Sequence, residues 1–259
     1  MPDRRLVFLH GFTQTHHHWH TCAGLLARQL GHHPLLAFVD MPGHGLSGRD
    51  RLTVEQAAPQ LVALAGRGTY IGYSMGARHA LAAACAGAPE IERLVLVGGT
   101  AGITDATERE ARIAADETNA QRLEAVGVEV FVEEWLAQPM FAGLEVSQRD
   151  RRQRLRNTVG GLAASLRLAG TGAQVPVWDS LRSVRLPVLV MAGARDARFT
   201  EIGQRVAAKI PNATFATIPG AGHAAHAEQP ERTAAIIADW LGTSQVAETV
   251  SPGVVPMVE

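Results

Sequence analysis

At 259 residues, 46% of them hydrophobic and 19% charged, the chain suits one large α/β domain or a core with an insertion. Its formal charge of −1 excludes a global field that would recruit nucleic acid or a membrane surface. Cys22 and Cys85 form neither a metal spacing nor a disulfide framework, no apolar run reaches membrane-spanning length, and no signal-peptide pattern occurs, so a cytoplasmic location is expected.

Residues 5–9 read as a short apolar strand, broken by His10-Gly11-Phe12 and followed by a polar loop. A helix is predicted from about Trp19 to Leu30, and a second strand over residues 35–39, ended by Asp40-Met41-Pro42-Gly43-His44-Gly45. Thr53 reads as an N-cap, with Gln56 placed for a capping box, opening a helix to Ala65. A β-rich run then leads into Gly72-Tyr73-Ser74-Met75-Gly76 and an alanine-rich helical run to Ala86. Residues 91–97 are continuously apolar apart from Glu92 and Arg93, the pattern of a strand buried on both faces.

From Thr104 to about Leu181 the pattern changes to amphipathic helical segments, richer in charge and separated by Gln138-Pro139, Gly143, Gly160-Gly161 and Gly170-Thr171-Gly172. Strands resume at residues 187–191 and 214–218, with helices near 199–209 and 231–240. This alternation predicts an α/β fold, a mostly parallel sheet covered by helices on both faces. Residues 1–103 and 182–242 would form the core, residues 104–181 a helical lid inserted between two strands, and residues 243–259 a disordered tail.

Gly72-x-Ser74-x-Gly76 between a strand and a helix has the context of a nucleophile elbow, in which the serine projects from a turn too sharp for bulky neighbours. The Met75 N–H, at the start of the following helix, faces a developing oxyanion in such a turn, and the Phe12 N–H after the first strand would supply the second donor. Asp196 follows a strand in Ala192-Gly193-Ala194-Arg195-Asp196, and His223 follows the next in Gly220-Ala221-Gly222-His223. Ser74, Asp196 and His223 thus fall at three strand ends in the order that a serine–aspartate–histidine triad on this kind of sheet requires.

No metal site is expected at His16-His17-His18-Trp19-His20, because no acidic or cysteine partner lies at ligand spacing and adjacent residues cannot all face one ion. His44 and His79 read as structural or loop residues, and His226 carries no assigned role. The arginines 149, 151, 152 and 154 read as a solvated helical face.

Together, Leu9-His10-Gly11-Phe12, the Asp40 to Ser47 loop, the Ser74 elbow, Asp196 and Gly220-Ala221-Gly222-His223 resemble the α/β-hydrolase family over nearly the whole chain. A narrower likeness is to the family's menaquinone-biosynthetic branch. It rests on Gly72-Tyr73-Ser74-Met75-Gly76-Ala77-Arg78, on Glu108-Arg109-x-x-Arg112-x-x-x-Asp116, on Trp135-Leu136-Ala137-Gln138-Pro139-Met140-Phe141, and on Arg156-Asn157 before Gly160-Gly161-Leu162. Ala77 departs from the branch, which often has glycine there.

That likeness implies elimination of pyruvate from 2-succinyl-5-enolpyruvyl-6-hydroxy-3-cyclohexene-1-carboxylate without metal or organic cofactor. It implies that Arg78, Arg112 and Arg156 bind a small polycarboxylate substrate and that Tyr73 and Trp135 line its pocket. Arg78, one helical turn beyond Ser74, independently suits an anionic substrate, since forked guanidinium groups pair with carboxylates. A serine hydrolase of esters or of carbon–carbon bonds in ring-cleavage products is the alternative. A non-enzymatic ligand receptor on the same fold is a third reading, against which the intact triad argues. Neither nucleic acid nor membrane is expected as a partner, and the oligomeric state stays open.

Overall fold

A computed structural model of the chain describes residues 5–31 and 33–249, with side chains as far as Gly242. Six strands form one parallel sheet in the order β2 (Leu36–Val39), β1 (Leu6–Leu9), β3 (Gly68–Tyr73), β4 (Ile91–Val97), β5 (Val188–Gly193), β6 (Ala213–Ile218). Every residue of β1, β3 and β5 is buried, which is why these strands read as continuous apolar runs, whereas the edge strand β6 is fully buried only at Ile218.

Helices α2 (Val54–Ala65), α3 (Met75–Cys85) and α7 (Ala197–Lys209) cover one face, where Leu9, Tyr70 and Val190 pack with Leu61, Leu81 and Val206. On the other face, α1 (His20–Gln29), the short α8 (Ala225–Glu228) and α9 (Pro230–Thr249) bring Leu26, Ala225 and Ile237 into one cluster with Phe8, Ile71 and Val95. The capping box of α2 is present: Thr53 Oγ1 accepts the Gln56 N–H at 3.3 Å, and Gln56 Oε1 accepts the Thr53 N–H at 3.1 Å. No helix among the described residues is long and apolar enough to cross a membrane.

Between β4 and β5 the described chain is helical, with α4 (Ala106–Leu136), bent at Gly127 where φ is 79°, then α5 (Gln148–Arg154) and α6 (Val159–Ala169). Leu123, Phe131, Leu162 and Leu166 form a small core of their own, and Phe12 packs against it from the sheet side. The α5 end is tied to the sheet loops by polar bonds. Arg154 Nη1 donates to Thr13 Oγ1, while Asn157 donates to the Thr13 carbonyl at 2.8 Å and accepts the Gly45 N–H at 2.9 Å. Arg154 is therefore 3% exposed rather than part of a solvated face. The six other residues of α5 are all polar, so the local pattern carries no sign of which arginine turns inward.

Helix α9 also departs from expectation, because its backbone stays helical to Thr249 although a disordered tail was expected from residue 243. No helix breaker lies between Gly242 and Pro252, so nothing local stops it. Residues 250–259 lie outside the described residues.

Sheet order reverses between β1 and β3, since the chain goes outward to β2 and returns past β1. The carboxyl ends of β1 and β3 consequently flank a crevice, where open parallel sheets place their sites.

Candidate active site

Ser74 ends β3 with φ 48° and ψ −104°, a left-handed conformation that a non-glycine residue holds only at a cost on the order of 1–3 kcal/mol. Two bonds fix it there: its N–H donates to the Val97 carbonyl at 2.8 Å, and its carbonyl accepts the Arg78 N–H at 3.1 Å. The flanking glycines are required by contact. A Cβ on Gly72 would lie 2.6 Å from the Ala77 nitrogen, and one on Gly76 would strike the Leu9 carbonyl.

His223, in the loop after β6, places Nε2 3.3 Å from Ser74 Oγ and Nδ1 2.8 Å from Asp196 Oδ2. Asp196 N-caps α7, its Oδ1 accepting the Phe199 N–H at 3.1 Å, which leaves Oδ2 for the histidine. With Nδ1–H given to the carboxylate, Nε2 is the acceptor for the serine hydroxyl. Phe199 lies against the His223 ring with centroids 4.4 Å apart, and Tyr73 lies at 5.4 Å. The three residues picked from strand ends in the sequence are thus in one hydrogen-bonded line.

Above Ser74 lies a cavity of about 440 Å³, bounded by the loop after β1, the start of α3, and residues of α4, α6 and α7. Phe12, Tyr73, Met75 and Trp135 supply its apolar wall. Trp135 stands edge-on to Phe12 at 5.0 Å. As the first residue of α3, Met75 has no helical acceptor for its N–H. In the loop after β1, Gly11 N–H donates to Gln14 Oε1, Thr13 N–H to His44 Nε2 and Gln14 N–H to the Gly11 carbonyl. The Phe12 N–H takes part in none of these bonds.

Arg78 and Arg112 also line this cavity. Arg78 is 7% exposed and donates to Gln174 Oε1 at 3.0 Å and to the Ala169 carbonyl at 2.8 Å, both neutral acceptors. Burial, with Arg112 nearby, lowers its pKa to about 10, so it is charged at neutral pH. Arg112 pairs with Asp116 at 2.9 Å, and burial raises the Asp116 carboxyl. Arg156 does not join them: it is exposed and lies outside the cavity, so a pocket-lining role for it is set aside. Its charge acts on His17 instead. Helix α7 instead brings Arg198 and Arg205 to the cavity, which nothing but their nearness to Asp196 in sequence could have signalled.

Sequence reading also missed the supports of the loop after β1. His44 is fully buried, and burial lowers its pKa to about 3. Its neutral ring donates from Nδ1 to the Pro42 carbonyl at 3.0 Å while Nε2 accepts the Thr13 N–H. On the outer side of the same loop, His16, His17 and His20 come together, one ring nitrogen of each lying within 4.8 Å of the others. Not all of the run turns the same way: a 3-10 turn over His16–Trp19 running directly into α1 brings these three together, while His18 Nδ1 accepts the Thr15 N–H. The acidic partner missing at local spacing is Asp40, from the end of β2.

A serine on a strained strand–helix turn, bonded to a histidine and an aspartate from later strand ends of a parallel sheet, defines an α/β hydrolase; the α/β hydrolase family profile matches residues 6–236, and the chain belongs to that family of enzymes. Over 244 residues it is 33% identical to the 2-succinyl-6-hydroxy-2,4-cyclohexadiene-1-carboxylate synthase of Salmonella typhimurium, covering 87% of this chain and 88% of that one. Its structure matches that of MenH from S. aureus with a TM-score of 0.86 at 29% identity, over 95% of this chain and 96% of the other. It also matches a malate-bound thermophilic esterase from Thermogutta terrifontis with a TM-score of 0.74 at 25% identity, over 93% and 90% of the two chains.

Proposed function

We propose that this enzyme is a lyase that eliminates pyruvate from 2-succinyl-5-enolpyruvyl-6-hydroxy-3-cyclohexene-1-carboxylate, giving 2-succinyl-6-hydroxy-2,4-cyclohexadiene-1-carboxylate in menaquinone biosynthesis. The observation that carries the reading is Arg78, a buried guanidinium on the cavity wall whose protein acceptors are both neutral. Asp116 and Glu55 act on it only through space; a buried cation with no carboxylate bonded to it is costly, and a substrate carboxylate would complete it. The proposed substrate has carboxylates on its ring, succinyl arm and enolpyruvyl group. The Salmonella synthase, named for the product, supports the same reading.

Substrate and product together dictate the electron flow. A proton leaves the ring carbon that bears the succinyl ketone, and its electron pair becomes a new double bond. The existing double bond shifts along the ring, and the carbon–oxygen bond to enolpyruvate breaks. Ser74 Oγ takes the carbon proton as His223 Nε2 takes the hydroxyl proton, and Asp196 stabilises the imidazolium that forms. Negative charge develops on the succinyl ketone oxygen, where the Phe12 and Met75 N–H groups act as the oxyanion hole. His223 then returns its proton toward the departing enolpyruvate, which becomes pyruvate. Tyr73 and Trp135 shape the pocket. The helical segment acts as a lid that keeps water from the charged intermediate.

The esterase neighbour favours a second reading, ester hydrolysis through an acyl-Ser74 intermediate. One assay separates them: pyruvate release from the cyclohexene substrate against turnover of p-nitrophenyl esters. Pyruvate release with kcat/KM of roughly 10⁴ M⁻¹s⁻¹ or more is the expected result. Ester turnover at that level without pyruvate release would assign the hydrolase instead.

A further inference from the structure

We infer that His16, His17 and His20 form a binding site for one divalent transition-metal ion of the Zn²⁺ class, separate from the active-site cavity. The three imidazoles gather on one partly exposed patch, with ring centroids 4.0 Å apart for His16 and His17, 4.8 Å for His17 and His20, and 5.8 Å for His16 and His20. One ring nitrogen from each already lies within 4.8 Å of the other two. Metal–nitrogen bonds of about 2.0–2.1 Å in a tetrahedron bring such nitrogens to roughly 3.3 Å, a change that small rotations of partly exposed rings supply.

Two independent features point to a ligand rather than a chance cluster. First, Asp40 Oδ2 accepts a hydrogen bond from His16 Nδ1 at 2.9 Å, and with the proton on Nδ1 the Nε2 lone pair is the one available for coordination. A carboxylate behind a histidine in this manner is the arrangement that orients metal-binding imidazoles and raises their basicity. Asp40 is itself fixed, because its carboxylate also accepts the His16 N–H at 2.7 Å and the Leu46 N–H at 2.9 Å. Second, His17 Nδ1 is withdrawn from solvent and has no hydrogen-bond partner among the described residues. An ion beside it would supply that nitrogen with a partner.

Imidazole nitrogen is the donor that suits zinc, copper and nickel, and three histidines leave a fourth position for water. None of the three residues lines the cavity above Ser74. Bound there, the ion would clamp the 3-10 turn to the first turn of α1, just beyond the loop that carries Phe12. This inference does not depend on the reaction proposed above.

The test uses the full chain without an oligohistidine tag, titrated with Zn²⁺ by calorimetry and followed by thermal melting. One ion per chain and a rise in Tm are expected. His17→Ala and His20→Ala should each weaken binding about tenfold or more. The double variant should lose both the stoichiometric binding and the Tm rise while keeping its Zn²⁺-free melting point near that of the parent. Absence of stoichiometric binding in the parent, or binding that survives the double variant, would overturn the site.

Discussion

Thr13 donates its N–H to Nε2 of His44 at 3.3 Å, joining the loop after β1 to the loop after β2 across 31 residues of sequence. The bond matters because Thr13 is held at φ 64°, a conformation that needs outside support, and Phe12 is its neighbour. With the Gly11, Thr13 and Gln14 N–H groups all engaged, the loop can present the Phe12 N–H alone to the crevice. His44→Ala should leave a buried N–H unpaired and lower unfolding stability by about 1–3 kcal/mol in urea titration. It should also reduce kcat more than it raises KM, because the oxyanion donor is displaced while the substrate-binding arginines stay. A His44→Ala protein with parental stability would show that the bond is dispensable.

Acid sensitivity follows from the same residue and two others. Burial lowers the pKa of His44, His79 and His226 to about 3 each, against 6.5 for the exposed side chain. Between those values the unfolded chain binds protons that the folded chain refuses. Their stabilisation is thus fully present above about pH 6.5 and is lost as pH falls toward 3. Each group contributes a slope of up to about 1.4 kcal/mol per pH unit within that window. Unfolding free energy measured between about pH 6.5 and 5, above most of the carboxylate range, should fall steeply. His44→Gln should make the slope shallower by one proton. A flat profile there would place these rings in contact with solvent.

Variants of the triad test the proton relay. Ser74→Ala, His223→Ala and Asp196→Asn should each lower kcat by ~10³-fold or more with little loss of folding. Ser74, His223 and Asp196 act as one proton relay, and without Ser74 the histidine receives no proton to return to the leaving group, so pairing either with Ser74→Ala should add little further loss. A Ser74→Ala protein that keeps most of its activity would remove Ser74 from the chemistry.

What could be read from sequence, and what could not, divides along the range of the physical signal. Gly72 and Gly76 were legible because a close backbone approach leaves only glycine, and the structure shows both contacts. Strands β4 and β5 were legible because burial on both faces writes a continuous apolar run. The Asp196 and His223 positions followed from strand ends. Burial of Arg154 was not legible, since its partner Thr13 lies 141 residues away and the helix around it is uniformly polar. Arg156, beyond the end of that helix, is exposed and outside the cavity, because a residue type and a resemblance say nothing of whether a side chain reaches the pocket. The carboxylate beside His16 was not legible, because Asp40 comes from another strand end.

The arginines separate a lyase for a polycarboxylate from a plain esterase. Charge-assisted contacts are worth about 1.5–3 kcal/mol, so Arg78→Ala and Arg112→Ala should each cost roughly one to two decades in kcat/KM for the anionic substrate. Arg→Lys at either position should recover only part, because a point charge does not reproduce the fork. Arg156→Ala, outside the cavity, should stay within about twofold of the parent, the usual scale for an exposed charge. Truncating Arg78 also frees Gln174 Oε1 and the Ala169 carbonyl, so loss of activity alone would not distinguish binding from packing. The control is the rate at which a neutral fluorophosphonate labels Ser74, which reads the serine, histidine and oxyanion donors without any substrate carboxylate. Arg78→Ala and Arg112→Ala should label at nearly the parental rate, and added salt should weaken turnover of the anionic substrate while sparing labelling. Equal losses in labelling and in turnover would make both arginines structural and leave the polycarboxylate reading without its physical support.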